Sequence, residues 1–182
     1  KESNGRFAYV YSDLGYYLIQ QILEKNTGKT LDVLAYEIIY RPLGLKNTLF
    51  NPKGTTENIA PTEDDKFFRR ELIKGYVHDP GAALLGGVAG HAGLFTNSFE
   101  LARIMRMNLN NGKYGGKQIL NDTIIKYFTN TMIADNRRGI GWDKADPNGG
   151  GGTAEIASLS TFGHSGFTGT CVWVDPEYDL IY

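Results

Sequence analysis

The sequence predicts an α/β (α+β) chain, a helical region followed by C-terminal antiparallel strands of an incomplete sheet. Three observations lead there. Apolar residues recur at helical spacing through most of the chain, the pattern turns to β-type alternation after Gly149-Gly150-Gly151-Gly152, and the last residues open a strand with no room to finish it.

The elements follow in order. Leu14, Tyr17, Leu18, Gln21 and Ile22 form an amphipathic stripe after a potential cap at Ser12 or Asp13, and Gly28 suits a left-handed terminus, so a helix is expected from Leu14 to about Asn26. Leu31, Leu34, Ala35, Ile38 and Ile39 follow Thr30 as a second helix, expected to stop near Arg41-Pro42 because proline disfavours helix in the residue before it. Residues 46–79 mix polar, Pro, Gly and charged side chains and read as a long irregular surface excursion. Ala82 to Gly93 is dense in small residues, so backbone there is expected to approach backbone or ligand closely.

Asn97 and Ser98 with Glu100 mark the start of a third helix, with Leu101, Ile104, Met105 and Leu109 as its apolar face up to Gly112. Asn121 and Asp122 cap a fourth through Ile124, Ile125 and Phe128. A strand is expected over Phe167 to Val174, then a turn at Asp175-Pro176-Glu177, then a second strand from Asp179 to Tyr182. Strands left without partners imply a sheet completed by sequence beyond this segment.

Composition narrows the function classes. Apolar residues are 41% and charged residues 21%, close to the globular average, so 182 residues should fold around a core. The formal charge of −1 comes with lysines and arginines spread along the chain, which argues against nucleic acid as a partner. Cys171 has no second cysteine to pair with, and its neighbours Thr170, Val172 and Trp173 read as strand. There is no apolar run long enough for a transmembrane segment, and Lys1-Glu2-Ser3-Asn4-Gly5 lacks the apolar core of a signal peptide, so an export signal would lie outside this segment.

Three local patterns bear on chemistry. Tyr11-Ser12-Asp13, preceded by an extended Phe7-Ala8-Tyr9-Val10, places a phenol at a helix N-terminus, where positive partial charge favours the phenolate of a general base. An ordinary Ser or Asp cap with a packing tyrosine explains the same residues. Phe162-Gly163-His164-Ser165-Gly166-Phe167-Thr168-Gly169 brings a histidine to a glycine-lined strand entry, where neighbouring amides can hold an oxyanion; a hydrogen-bonded strand-end histidine is the plainer alternative. Gly86 to Gly93 lacks the lysine and spacing of a phosphate loop, which excludes nucleotide binding there. His78, His91 and His164 with Asp79 lack the helical His-x-x-x-His spacing of a strong metal motif, and no metal or other cofactor is expected.

In succession, Tyr11-Ser12-Asp13-Leu14-Gly15-Tyr16, Tyr40-Arg41-Pro42-Leu43-Gly44-Leu45, Gly90-His91-Ala92-Gly93-Leu94-Phe95-Thr96 and Gly163-His164-Ser165-Gly166 resemble the low-molecular-weight penicillin-binding protein, class C β-lactamase and esterase family, with its β-lactamase/transpeptidase-like fold. The resemblance spans nearly the whole chain. Val77-His78-Asp79-Pro80 through Gly93-Leu94-Phe95 is most similar to the subgroup in which such a domain is fused to a family 3 glycosidase in Bacteroidetes, and to a related DD-carboxypeptidase.

The resemblance implies a serine hydrolase acting through an acyl-enzyme on cell-wall peptides, D-amino-acid peptides or esters. That family's nucleophile lies in Ser-x-x-Lys, which occurs nowhere here, so residues 1–182 are expected to be a partial domain, lacking the nucleophile segment and the last strands and inactive alone. By the same resemblance, Tyr11 and Asp13 match the family's Tyr-x-Asn, His164 and Gly166 its Lys-Thr-Gly or His-x-Gly, and the Phe167 amide forms half of an oxyanion hole. Tyr11, Asp13 and His164 are then the catalytic candidates, and Ser165, Gly166, Phe167 and His91 the substrate-binding ones. Asp13 departs from the usual asparagine, losing an amide donor and adding a charge that can pair with the catalytic lysine, which counts against strong β-lactamase activity.

The expected partners are a small-molecule or peptide substrate and a fused family 3 glycosidase domain, in an exported, periplasmic or cell-envelope protein. A non-catalytic peptidoglycan-binding or scaffold domain attached to a glycosidase is the alternative, and a metal-dependent hydrolase a third.

Overall fold

A computed structural model describes residues 9–52, 57–133, 137–149 and 151–182. Lys1 to Gly5, the Phe7-Ala8 lead-in to Tyr11, and Gly150 lie outside them. The helices are α1 (Leu14–Thr27), α2 (Leu31–Ala35), α3 (Arg41–Leu43), α4 (Pro80–Leu84), α5 (Ser98–Leu109) and α6 (Asp122–Asn130). The strands are β1 (Leu49–Phe50), β2 (Glu63–Asp64), β3 (Leu72–Ile73), β4 (Leu94–Phe95), β5 (Lys113–Tyr114), β6 (Lys117–Gln118), β7 (Asp143–Lys144), β8 (Phe162–Ser165), β9 (Cys171–Asp175) and β10 (Leu180–Ile181). They fall into two compact units, one of Lys1–Ala35 with Phe50–Leu94, the other of Tyr36–Leu49 with Phe95–Tyr182.

In the first unit, α1 begins and ends where its sequence signals lie. Ser12 Oγ accepts from the Leu14 amide at 3.3 Å, and the Asp13 carbonyl accepts from the amides of Tyr16 and Tyr17 at 2.9 and 3.4 Å, closing the first turn. Gly28 at φ 68° closes the other end, its N–H donating to the Glu24 carbonyl at 2.8 Å. The stretch expected to be irregular contains an antiparallel pair, β2 with β3. Its turn is organised by Asp65, which accepts from the amides of Phe67, Phe68 and Arg69 and from Arg69 Nε. The Arg69 side chain, followed by these amides, holds the Asp65 carboxyl well below the usual range. The small-residue stretch opens as helix α4, started by the Asp79 cap and by Pro80, whose missing N–H costs nothing in a first turn. Val77, Ala82 and Ala89 form the core beneath it.

The second helix runs past its expected end. Tyr36–Tyr40 widens into a π turn and helix resumes over Arg41–Leu43, with Gly44 left-handed after it. The proline is tolerated because it sits in the first turn of α3, where no donor is required, and the wider turn satisfies the Tyr40 carbonyl through the Leu45 amide at 2.9 Å.

In the second unit, α5 and α6 start at the caps read from the sequence. Asn97 accepts from the Glu100 amide at 3.0 Å, and Asn121 from Thr123 and Ile124 at 2.9 and 3.3 Å. The C-terminal strands form an antiparallel sheet in the order β10-β9-β8-β7, so the strands expected to lack partners find them in one another. The expected strand over Phe167 to Val174 begins only at Cys171, because Gly166 to Thr170 makes the hairpin turn: Gly166 N–H donates to the Thr170 carbonyl at 2.6 Å and Gly169 takes φ 90°. The glycine-lined entry is itself a strand, β8. Met105, Phe162 and Val174 make the core here, joined by Leu101, Ile104 and Leu109 of the predicted α5 face.

Candidate active site

The first unit holds Tyr11, Asp13 and His91. Tyr11 and Ser12 are exposed ahead of α1, and Asp13 is half-buried at its mouth, contributing its carbonyl rather than its carboxylate to the cap. The apolar small-residue loop lies directly on this helix. Gly90 N–H donates to Gln20 Oε1 at 3.0 Å while Gln20 Nε2 donates to the Val88 carbonyl at 3.1 Å, so one buried amide side chain reads two backbone groups of the loop. A Cβ on Gly90 would stand 3.0 Å from the Tyr16 carbonyl, which is why glycine occupies that position. The close approach anticipated for this segment is therefore backbone on helix backbone.

His91 is nearly enclosed, its side chain 4% exposed. Its Nε2 lies 2.8 Å from Asp79 Oδ1, the oxygen that also accepts the Ala82 amide at 2.7 Å. Burial alone would raise the Asp79 carboxyl, but the Ala82 amide and His91 outweigh it and hold the group below its ordinary range. The Tyr17 ring packs on the imidazole, centroids 4.6 Å apart. The Tyr17 hydroxyl is pushed up by burial and by the charges of Asp79 and Asp13, so it stays a neutral phenol.

The second unit holds His164, Ser165, Gly166 and Phe167. His164 sits in β8 opposite Val172, and Gly163 before it has no space for a side chain, since a Cβ would meet Trp173 Cε3 at 2.6 Å and Trp173 Cα at 2.8 Å. The His164 Nδ1 is 2.7 Å from the Ser165 carbonyl, which only accepts, so Nδ1 carries the proton. Nε2 is then the acceptor, facing Arg138 Nη1 at 3.5 Å, and the same guanidinium is 3.3 Å from Asp143. Gly166 enters the hairpin and Phe167 stands at its tip, 91% exposed.

Sequence reasoning missed Tyr17, Gln20, Asp79 and Arg138 as parts of these clusters. Asp79 reads beside the histidines only as a metal ligand, and Tyr17 and Gln20 are legible as helix positions, but their partners come from chain folding back. Among the described residues, no three His, Cys, Asp or Glu side chains come together in the manner of a metal centre.

Comparison with known proteins places these clusters in context. The family described as Beta-lactamase matches residues 6–182. The chain is 41% identical to a protein named "Putative D-alanyl-D-alanine carboxypeptidase" from Escherichia coli K12, over 92% of this chain and 42% of that one. It is 37% identical to an N-acetylmuramyl-L-alanine amidase from Bacillus subtilis 168, over 94% and 42%. It thus spans under half the length of these relatives. Among solved structures, a penicillin-binding protein homolog from Caulobacter crescentus superposes with a TM-score of 0.66 at 22% identity, covering 97% of this chain and 52% of that one. EstCE1, a hydrolase with promiscuous acyltransferase activity, gives 0.62 at 20% identity, covering 100% and 51%. At these identities the structural likeness speaks for the fold alone.

Proposed function

We propose, from the premise that this chain belongs to the Beta-lactamase family, that it is part of a serine hydrolase acting on cell-wall peptides, D-amino-acid peptides or related esters. The observation that carries the reading is the family match running through residues 6–182 without leaving out any of the four motifs, together with 41% identity to a D-alanyl-D-alanine carboxypeptidase by name. On this reading the segment is a partial domain, and a Ser-x-x-Lys elsewhere in the longer protein supplies the nucleophile.

The chemistry is acyl transfer. The serine hydroxyl gives its proton to Tyr11 or to the lysine as its oxygen adds to the substrate carbonyl, and the carbonyl oxygen takes negative charge against the amides of Phe167 and the serine. The proton passes to the leaving amine or alkoxide, leaving an acyl-serine that water hydrolyses. Asp13 pairs with the lysine, His164 orients the substrate carboxylate, and Ser165 and Gly166 line the acyl chain. His91 belongs to the substrate-binding set through the glycine-rich loop it anchors. The protein is exported to the periplasm or cell envelope, and a fused family 3 glycosidase is its proposed covalent partner.

A fluorescent penicillin should label one serine of the full-length protein, and nitrophenyl esters or D-Ala-D-Ala peptides should be turned over. Absence of both labelling and turnover would refute the hydrolase. A second reading is a non-catalytic peptidoglycan-binding or scaffold domain attached to a glycosidase, which the longer protein would favour by lacking any Ser-x-x-Lys. That reading requires saturable binding of muropeptides with no serine labelled.

A further inference from the structure

The Asp79–His91 pair is built in a way that packing alone does not explain. Asp79 Oδ1 takes the Ala82 amide and His91 Nε2 together, so Nε2 is a donor to the carboxylate. The other ring nitrogen, Nδ1, is buried and has no hydrogen-bond partner among the described residues. A buried polar atom left unmade is unfavourable, and an apolar ring of the same shape would avoid it, so what the imidazole adds here is its Nε2 donor to Asp79. The same ring packs against Tyr17, one turn inside α1, with the two planes tilted by 41°, and the Tyr17 hydroxyl lies over Gly81 where a Cβ would meet it.

We infer that Asp79, His91 and Tyr17 are positioning residues, which lock the first turn of α1 to helix α4 and the glycine-rich loop and thereby fix Tyr11 and Asp13 immediately before that turn. This rests on the reading of Tyr11 and Asp13 as catalytic. The chain of contacts is continuous within one compact unit: carboxylate to imidazole to phenol ring to helix, with Gln20 holding the loop one turn further along. The carboxylate sets the rotation of the imidazole, and the imidazole sets the face on which Tyr17 rests. A displacement of about 1 Å at a catalytic group is enough to cost orders of magnitude in rate while leaving substrate affinity nearly intact.

The test compares His91→Phe and His91→Gln in the full-length protein. His91→Phe keeps the ring but lacks the donor, whereas His91→Gln keeps an N–H for Asp79. The acylation rate constant, followed before the steady state, should fall by roughly tenfold or more in His91→Phe with the dissociation constant of the noncovalent complex nearly constant, and His91→Gln should recover most of the rate. A loss confined to that dissociation constant, or His91→Gln no better than His91→Phe, overturns the inference. Should the wild-type protein show no acylation, the hydrolase reading fails by itself, and hydrogen exchange at the Tyr16 and Tyr17 amides decides the positioning role. Those amides should exchange roughly tenfold faster in His91→Phe than in wild type or His91→Gln. Equal exchange in all three would overturn it.

Discussion

Gln20 and Gly90, seventy residues apart, are joined by a bond from the glycine amide to the glutamine carbonyl oxygen at 3.0 Å, while the other end of the same amide reaches Val88. The glycine-rich loop is thereby seated on α1 by a side chain whose two ends match the polarity of the two backbone groups. Gln20→Leu keeps the bulk and removes both bonds. It should destabilise the protein by about 1–3 kcal/mol, measured as a lower urea midpoint with an unchanged slope. No loss would mean that water replaces the amide there.

Glu100 plays a similar part in the second unit. Its buried carboxylate accepts from the amides of Lys46 and Asn47, from Asn47 Nδ2 and from the Thr48 hydroxyl. Burial alone would raise this group, yet the Thr48 hydroxyl and the two amides outweigh it, so the folded state holds it below its ordinary value. The stability it adds is therefore complete above about pH 4.3, the unfolded value, and is lost as pH falls through the lower folded value. Between about pH 5 and pH 3 the urea midpoint of wild type should drop more steeply than that of Glu100→Gln. Parallel pH curves would show that Glu100 is not the linked group.

Gly163 places His164 by having no side chain. The methyl of Gly163→Ala would press on Trp173 and on the Val172 carbonyl across the β8–β9 pair, where backbone cannot give way cheaply. We expect a loss of about 1–3 kcal/mol or more and a changed Trp near-ultraviolet dichroism. A variant as stable as wild type, with the same dichroism, would contradict this packing.

Leu14, Leu18 and Ile22 are spaced four apart on α1 and are all more than half exposed, with Ile19 and Leu23 beside them. A contiguous apolar stripe of this kind drives association in water. The 182-residue chain should therefore self-associate with rising concentration in sedimentation experiments, and Leu18→Glu should shift it toward monomer. Concentration-independent sedimentation of the unaltered chain would argue that the stripe is covered.

The starts of α1, α5 and α6 were legible because they depend on neighbours in sequence: Ser12, Asn97 and Asn121 satisfy amides two or three residues away, and the apolar stripe repeats each turn. Helix α4 and the hairpin closed by Asp65 were not, since their stretches carry no apolar period and their turns rest on one carboxylate each. The strand over Phe167–Val174 was placed too early because its β-forming composition says nothing about where a hairpin turns.

By itself, the sequence determined helices α1, α2, α5 and α6, the C-terminal change to strand, and the family, because periodicity, caps and motif order are local and survive without a fold. Only the tertiary structure decided that Asp79 orients His91, that Tyr17 and Gln20 seat the glycine-rich loop, and that Arg138 faces His164 across 26 residues of chain. Those pairings have no sequence period. They arise where chain closure and burial force polar groups to find partners far along the chain, and only packing selects which ones.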